Sequence, residues 1–267
     1  MNKFYIQITL FLLTIFAYAN NKALATELDS EGDTAPESIE RYLTSEEIYE
    51  ENKHLLCTNP EEIKHAEKLM SEALSHFKYH AVKKSGYNSY GNNPFKKIYY
   101  YKKTQRDGTT VDKVEYTVRD SDKYDEEINK LWDPNHGKSF NMKSPQRKII
   151  RVYNPNLVLI QQRYKHRFGR TEKYFYALVT KVEVSKDTTA IVMTSPNIND
   201  HYPSGKKFKN TIIENANLLK IDVDPEDDIK EGLLKKTFVN LAGYLIQKKD
   251  KCVDATFIAS IDGHSFV

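Results

Sequence analysis

Between residues 148 and 200 the chain alternates runs rich in Val, Ile, Tyr and Phe with short turn sequences. The runs are separated by Asn-Pro-Asn, by a basic loop that contains Gly169, and by Lys-Asp. Runs of this composition bounded by turn residues are typical of β-strands. The pattern therefore predicts four consecutive antiparallel strands, at 148–153, 157–164, 173–184 and 189–195.

The third of these strands carries apolar residues on both of its faces. Because side chains alternate along a strand, Tyr174, Tyr176 and Leu178 share one face. Phe175 and Ala177 lie on the other. A sheet with one solvated face would alternate more cleanly between apolar and polar residues. We therefore expect a sheet covered by a helix on one side and curled on the other around either a cavity or an ordinary packed core.

A long helix is predicted before this block. Thr58 or Asn59 can cap it, and Pro60 suits its first turn. Apolar residues then recur at spacings of three and four as far as Ala81, which gives one apolar stripe. Such a helix should pack on a sheet.

The remaining elements follow from turn and breaker residues. Strands at 98–103 and 111–118 are joined around an Asp-Gly pair, which signals a hairpin. A short helix at 123–132 ends at Asp-Pro, and two strands at 234–247 and 252–261 close the chain. The order of elements predicts an α+β fold.

The first 25 residues have the pattern of a secretory signal peptide. A basic start at Lys3 precedes an apolar run that ends at Ala19, and Ala23-Leu24-Ala25 provides the small residues of a cleavage site. The run is shorter than the ~20 residues of a membrane-spanning helix. Residues 26–55 are acidic and poor in large apolar side chains, so we expect a disordered linker there. The folded domain would then occupy residues 56–267.

Charge and composition restrict the function only weakly. The chain is 39% hydrophobic and 29% charged, and its net charge of +3 falls by two when Lys3 and Lys22 leave with the leader. Two basic stretches interleaved with aromatic residues, 96–103 and 163–170, could contact anionic lipid headgroups or sit on an exposed strand face and a hairpin tip. Secretion makes nucleic acid the less favoured partner, and we expect none.

No catalytic or metal-binding motif is recognisable. The chain has no H-E-x-x-H, C-x-x-C or G-x-S-x-G sequence, no phosphate-binding loop and no dinucleotide fingerprint. The acidic stretch 222–228 lacks the Gly and the Glu that a calcium loop requires. Cys57 and Cys252 are too few for a disulfide scaffold and are predicted to be free thiols. We expect no enzyme activity, cofactor or metal, with a thiol hydrolase based on Cys57 as one alternative.

Several blocks of the chain resemble a known family. The chain resembles the fam-a proteins, exported proteins of malaria parasites (Plasmodium, chiefly the rodent species), in its leader and in the blocks HLLCTNPEEIKHAEKLM, INKLWDP, RVYNPNLVLIQQRYK, KYFYALVTKVE, VMTSPNINDH, LKKTFVNLAGYLI and ASIDGH. That family is built around a START-like lipid-binding domain. The resemblance implies a helix-grip fold, in which a curved antiparallel sheet wraps a long C-terminal helix and encloses a tunnel for one lipid.

The function implied by the resemblance is non-enzymatic binding and transfer of a phospholipid, with phosphatidylcholine as the candidate. A phosphate could be bound by Arg151 or Arg163, which both fall within predicted strands. The other candidates are apolar or aromatic and would wall the tunnel or face a quaternary amine. They are Tyr174, Tyr176, Leu178, Met193, Phe238, Tyr244 and Phe257.

The chain departs from the family pattern at its end. Only Ser265-Phe266-Val267 follow the ASIDGH block, where the family pattern implies a long helix that closes the tunnel. We therefore expect a START-like domain that is truncated at its C-terminus, lacks its lid helix and leaves the tunnel open on one side.

The leader and the resemblance together predict a secreted protein that is exported from the parasite to the vacuole or the host red cell. Arg41-Tyr42-Leu43 resembles a malarial export element of R-x-L form. A lipid carrier should also contact a membrane surface transiently. The alternative function is a host-interaction module that uses the same fold without lipid cargo and has a host or parasite protein as its partner.

Overall fold

The computed structural model describes residues 41–136, 142–166, 171–203 and 208–263. The compact unit that contains the sheet begins at Tyr42. Three predictions lie outside the described residues: the signal peptide at 1–25, the end of the basic loop at 167–170, and the missing lid helix after residue 263.

Twelve strands are present in the described chain, and ten of them form one sheet. They are β1 (Asn88–Asn93), β2 (Ile98–Thr104), β3 (Thr110–Arg119), β4 (Met142–Asn154), β5 (Leu157–His166), β6 (Glu172–Ser185), β7 (Thr188–Thr194), β8 (Asn197–Asn199), β9 (Lys220–Asp222), β10 (Lys235–Lys236), β11 (Phe238–Lys248) and β12 (Cys252–Asp262). The sheet order is β1-β2-β3-β12-β11-β7-β6-β5-β4, and β10 pairs in parallel with β6. All other neighbours in this sheet are antiparallel, and β8 pairs with β9.

Four α-helices accompany the strands in the described part of the chain. They are α1 (Ser45–Glu51), α2 (Pro60–Val82), α3 (Tyr124–Trp132) and α4 (Asp227–Lys230), with short 3-10 segments at Lys53–Leu55, Ser121–Lys123, Pro134–His136 and Glu214–Asn217. Helix α2 begins as predicted, because Asn59 Oδ1 accepts hydrogen bonds from the backbone N–H groups of Glu61 (3.0 Å) and Glu62 (3.3 Å). Within the described residues no helix is both long and apolar enough to cross a bilayer.

The sheet buries both of its faces, as the alternation along β6 predicts. Helix α2 packs on one face, here called the α2 face, and α1 and α3 pack on the opposite face, here called the α3 face. Buried residues of the α2 face include Leu159, Tyr174, Tyr176, Leu178, Val192, Leu241 and Leu245. Buried residues of the α3 face include Ile160, Phe175, Ala177, Val179, Ile191, Met193, Ala242, Tyr244, Phe257 and Ala259.

The prediction of a disordered linker at 26–55 is wrong for Ser45–Glu51, because these residues form helix α1. Helix α1 lies there because Thr44 and Glu47 form a capping box: Glu47 N donates to the Thr44 hydroxyl and Thr44 N to the Glu47 carboxylate. Leu43 N also donates to Asp133 Oδ2 at 3.0 Å, which ties the segment to the end of α3. Two acidic residues of this range, Glu46 and Glu47, lie in the first turn of α1, where the helix dipole favours negative charge.

Strand β1 is also absent from the sequence prediction, in which the first strand begins at residue 98. Its residues are mostly Asn, Ser and Gly, and they form a strand only because β2 supplies backbone partners from Asn88↔Lys102 to Asn93↔Ile98. The other predicted strands, the Asp-Gly hairpin and the helices at 123–132 and after Asn59 are confirmed, although β4 begins at Met142 instead of 148 and the strand predicted at 234–247 is divided into β10 and β11.

Candidate functional site

The nine residues predicted to form one lipid site are distributed over different parts of the molecule. The structure therefore does not bring them together as a single tunnel wall. The α2 face carries Arg151, Arg163, Tyr174, Tyr176 and Leu178, the α3 face carries Met193, Tyr244 and Phe257, and Phe238 lines a cavity beside Tyr176.

Both predicted phosphate-binding arginines already have acidic partners. Arg151 Nη1 lies 2.6 Å from Glu62 Oε1 on α2, and its Nη2 donates to the carbonyl of Asp222. Arg163 binds both carboxylate oxygens of Asp228, at 2.6 and 2.9 Å. These pairs raise the pKa of the Arg163 guanidinium, chiefly through the hydrogen bonds to Asp228. The two arginines therefore hold α2 and the 195–237 segment against the sheet. The sequence-based assignment gave them to a lipid phosphate instead.

A β-bulge explains why Arg151 leaves the α3 face. Arg147 pairs with Gln162 and Ile149 with Ile160, so strict alternation would keep Arg151 on their side of the sheet. The register shifts between Ile149 and Arg151, which inserts one extra residue and turns Arg151 to the α2 face. No sequence signal marks this bulge.

Arg147 is the arginine that remains on the α3 face, and sequence reasoning missed it. It is partly buried, and desolvation lowers the pKa of its guanidinium while the nearby Tyr244 and Asp133 raise it. Its Nε donates to Gln162 Oε1 (3.2 Å) and its Nη1 to the carbonyl of Leu131 (3.2 Å). A guanidinium has five N–H donors, so three remain. Among the described residues no carboxylate forms an ion pair with Arg147.

The apolar part of the α3 face combines aromatic and small side chains. Tyr244 and Phe257 are cross-strand partners with ring centroids 4.7 Å apart. In the adjacent row Ala242 lies between Met193 on β7 and Ala259 on β12. All five side chains are buried: Ala242 and Ala259 are at most 1% exposed, and Met193, Tyr244 and Phe257 at most 6%.

Two cavities next to the sheet are polar. One, of about 390 Å³, lies under the 195–237 segment and is lined in part by Tyr176, His201, Tyr202 and Phe238. The other, of about 520 Å³, lies at the β4 edge of the sheet and is lined by Gln146, Arg147, Lys148, Gln161, Arg163, Glu226, Asp227 and Asp228. In the first cavity the carboxylate of Asp200 is not available to a ligand, because Lys236 and Tyr174 already bind it.

The carboxylate of Asp200 is bound on both oxygens. Lys236 Nζ lies 2.6 Å from Oδ1, and the Tyr174 hydroxyl donates to Oδ2 at 2.9 Å. Burial raises the pKa of the Tyr174 phenol, and the neighbouring carboxylate adds to that shift. We interpret this cluster as a structural tie between the sheet and the segment, because no charge in it is left unpaired.

The described residues hold no group of three His, Cys, Asp or Glu side chains that could bind a metal ion. His76 and His80 are four residues apart on α2, but His80 is 4% exposed and its Nδ1 is hydrogen-bonded to Tyr87 Oη at 2.8 Å. Cys57 and Cys252 are free thiols, as predicted. Burial raises the pKa of the Cys57 thiol, whereas a nucleophilic cysteine needs a lowered one, which argues against a thiol hydrolase.

The curved antiparallel sheet with its strand order and flanking helices has the START-like helix-grip fold, as predicted. Among solved structures, human StAR-related lipid transfer protein 5 is similar with a TM-score of 0.52 and 9% identity, over 76% of this chain and 84% of that one. Human STARD10 is similar with a TM-score of 0.45 and 14% identity, over 72% of this chain and 67% of that one. No protein-family model matches the chain, and no curated protein does.

Proposed function

We propose that the chain binds a phospholipid against the α3 face and carries it without covalent chemistry. The observation that carries this proposal is the difference in length between the helices that pack on the two faces of the sheet. The α2 face is occupied by a helix of 23 residues, whereas the helices of the described chain on the α3 face have 7 and 9 residues. The START-like fold, which is shared with a lipid transfer protein, supports the same reading.

The energetics of lipid transfer require an apolar wall of this kind. A phospholipid with two acyl chains and ~30 methylenes, at about 0.8 kcal/mol each, would lose roughly 24 kcal/mol if it were left in water. Met193, Ala242 and Ala259, together with the Tyr244–Phe257 pair, provide apolar contacts across β7, β11 and β12. We assign the acyl chains to this region.

Arg147 is the group that we assign to the lipid phosphate. A guanidinium binds phosphate through two parallel N–H bonds, and three N–H groups of Arg147 remain after its bonds to Gln162 and Leu131. It also lines the polar cavity at the β4 edge, which suits a hydrated headgroup better than an acyl chain. Phosphatidylcholine is the specific lipid that we propose.

Native mass spectrometry after incubation with phosphatidylcholine vesicles tests this function. The wild-type chain should retain one lipid. Arg147→Gln should retain at least about tenfold less, because a hydrogen bond to a charged group contributes about 1.5–3 kcal/mol. Lys148→Gln is the matched control. Lys148 lines the same cavity, but its side chain is 64% exposed and its charge is already paired with Glu226, so this variant should retain lipid normally.

The alternative is a host-interaction module on the same fold that carries no lipid. A wild-type chain that retains no phospholipid under these conditions, while remaining folded, would favour this alternative. If Arg147→Gln and Lys148→Gln retain lipid equally, lipid binding stands and the assignment of Arg147 is wrong.

We further propose that the protein is a secreted fam-a protein that is exported from a malaria parasite. The leader at residues 1–25 and the sequence blocks that resemble the fam-a proteins support this proposal. Export would deliver a lipid carrier to membranes outside the parasite, the vacuole membrane or that of the host red cell.

A further inference from the structure

The hairpin of β1 and β2 forms one edge of the sheet, and its turn, 94–97, presents a large apolar side chain to solvent. Phe95 is 96% exposed, more than any other exposed large hydrophobic residue of the described chain. The turn is held in shape by hydrogen bonds from Lys96 N to Asn93 Oδ1 (3.1 Å) and from Lys97 N to the Pro94 carbonyl (3.2 Å). Lys97 adopts a left-handed backbone conformation with φ of 51°. The phenyl ring therefore projects from an ordered turn.

All charged residues in the sequence of this hairpin are basic. From Lys84 to Arg106 the sequence contains six lysine or arginine residues and no aspartate or glutamate. Lys102 is paired with Asp112 on β3 at 3.5 Å. By contrast, no carboxylate in the described ranges pairs with Lys96 or Lys97, which directly follow Phe95. Two cations thus remain unneutralised beside the exposed ring.

Aromatic side chains continue along the same edge. Tyr90 on β1 is 42% exposed and Tyr99 on β2 is 38% exposed. Tyrosine is enriched at the headgroup level of membranes, where its ring is apolar and its hydroxyl is hydrated. A single exposed phenylalanine needs no explanation. Phe95, however, lies in a hydrogen-bonded turn, is followed by two lysines that pair with no described carboxylate, and belongs to a hairpin whose own sequence has exposed tyrosines and no acidic residue. This combination matches the chemistry of an anionic bilayer surface.

We propose that the 94–97 turn is a membrane contact: Phe95 inserts at the boundary of headgroups and acyl chains, and Lys96 and Lys97 bind anionic headgroups. This contact rests on the proposed function only in that a lipid carrier must meet a bilayer. It does not require lipid in the protein, since the turn lies at the sheet edge and is separate from Arg147 on β4.

Co-sedimentation of the full chain with phosphatidylcholine vesicles that contain about one third phosphatidylserine tests the contact. The wild type should bind these vesicles and bind pure phosphatidylcholine vesicles much less. Phe95→Ser should lower the partition coefficient about tenfold, the range expected for losing the burial of a phenyl ring. Lys96→Ala and Lys97→Ala should each lower it about fivefold, and high salt should weaken the wild type in the same way.

Leu218→Ser is the matched control for Phe95→Ser. Leu218 is 77% exposed but follows Asn217 in the 195–237 segment, away from the hairpin, so binding should not change. Equal vesicle binding by Phe95→Ser and the wild type overturns the proposal, and so does an equal loss in Leu218→Ser. Lipid retention by Phe95→Ser, measured by native mass spectrometry, should match the wild type. A wild type that sediments with vesicles but retains no lipid would contradict the proposed cargo and leave the contact in place.

Discussion

His80 is an ionisable side chain that the fold keeps uncharged. It is 4% exposed near the end of α2, and its burial, assisted by the nearby cations Lys103, His76, Lys83 and Lys113, lowers its pKa to about 4. An unfolded histidine has a pKa of about 6.5. Because the unfolded chain then takes up a proton at a higher pH than the folded chain does, the stability from neutral His80 is complete above about pH 6.5 and is lost as the pH falls towards 4.

We expect this histidine to make folding sensitive to mild acid. Between about pH 7 and about pH 4.5 the free energy of unfolding of the wild type should fall by roughly 2 kcal/mol more than that of His80→Gln. Urea denaturation at the two pH values measures the difference. His65→Gln, at an exposed position of the same helix, should keep the wild-type pH dependence. Parallel pH profiles of wild type and His80→Gln would show that the histidine is not kept neutral by the fold.

Helix α2 approaches the sheet closely at Gly243 of β11. A Cβ at this position would overlap the carbonyl oxygen of Ile191 and would lie 3.0 Å from Val192 Cα and 3.1 Å from Phe77 Cε2. Two of these contacts are with backbone atoms, which cannot move without disrupting the β7–β11 pairing. Because glycine has no Cβ, β11 can pair with β7 at Gly243 and the Phe77 ring can pack against the same position.

Gly243→Ala should destabilise the protein by about 3 kcal/mol or more, as overpacking of a rigid core does. Thermal and chemical unfolding of the purified variant measure this loss. Gly91→Ala is a matched control in β1, where a Cβ would meet only the Tyr100 ring at 3.6 Å, an ordinary contact. Equal stability of Gly243→Ala and wild type would mean that β7 and β11 can separate at little cost.

At the scale of the whole molecule, the position of the first folded residues favours one mature N-terminus. Leu43 N donates to Asp133, and Thr44 caps α1, so cleavage after Leu43 would remove the first of these bonds and place a free ammonium at the cap. We therefore predict that mass spectrometry of the native protein finds a chain that starts at Thr26. A start at Thr44 would support processing at the R-x-L sequence, and a start at Met1 would contradict both secretion and export.

Most elements of this fold follow from local patterns in the sequence. Runs of Val, Ile, Tyr and Phe bounded by turn residues indicate β4 to β7, and apolar residues at spacings of three and four indicate α2. Asn59 before Pro60, and the Asp-Gly turn before β3, set element ends through local hydrogen bonds and backbone preferences. The two apolar faces of β6 were predictable for the same reason.

Which side chains meet could not be predicted from local patterns. The bulge between Ile149 and Arg151 sends one arginine to the α2 face, and the acidic segment after Val223 supplies the carboxylates that neutralise Arg163. Arg147 precedes this bulge and stays on the α3 face, where none of the described carboxylates forms an ion pair with it. These contacts depend on the register of the strands and on partners that are distant in the sequence. A short sequence pattern carries no information about either. Strand β1 shows the same principle: its polar residues form a strand because β2 offers it a row of unpaired backbone groups.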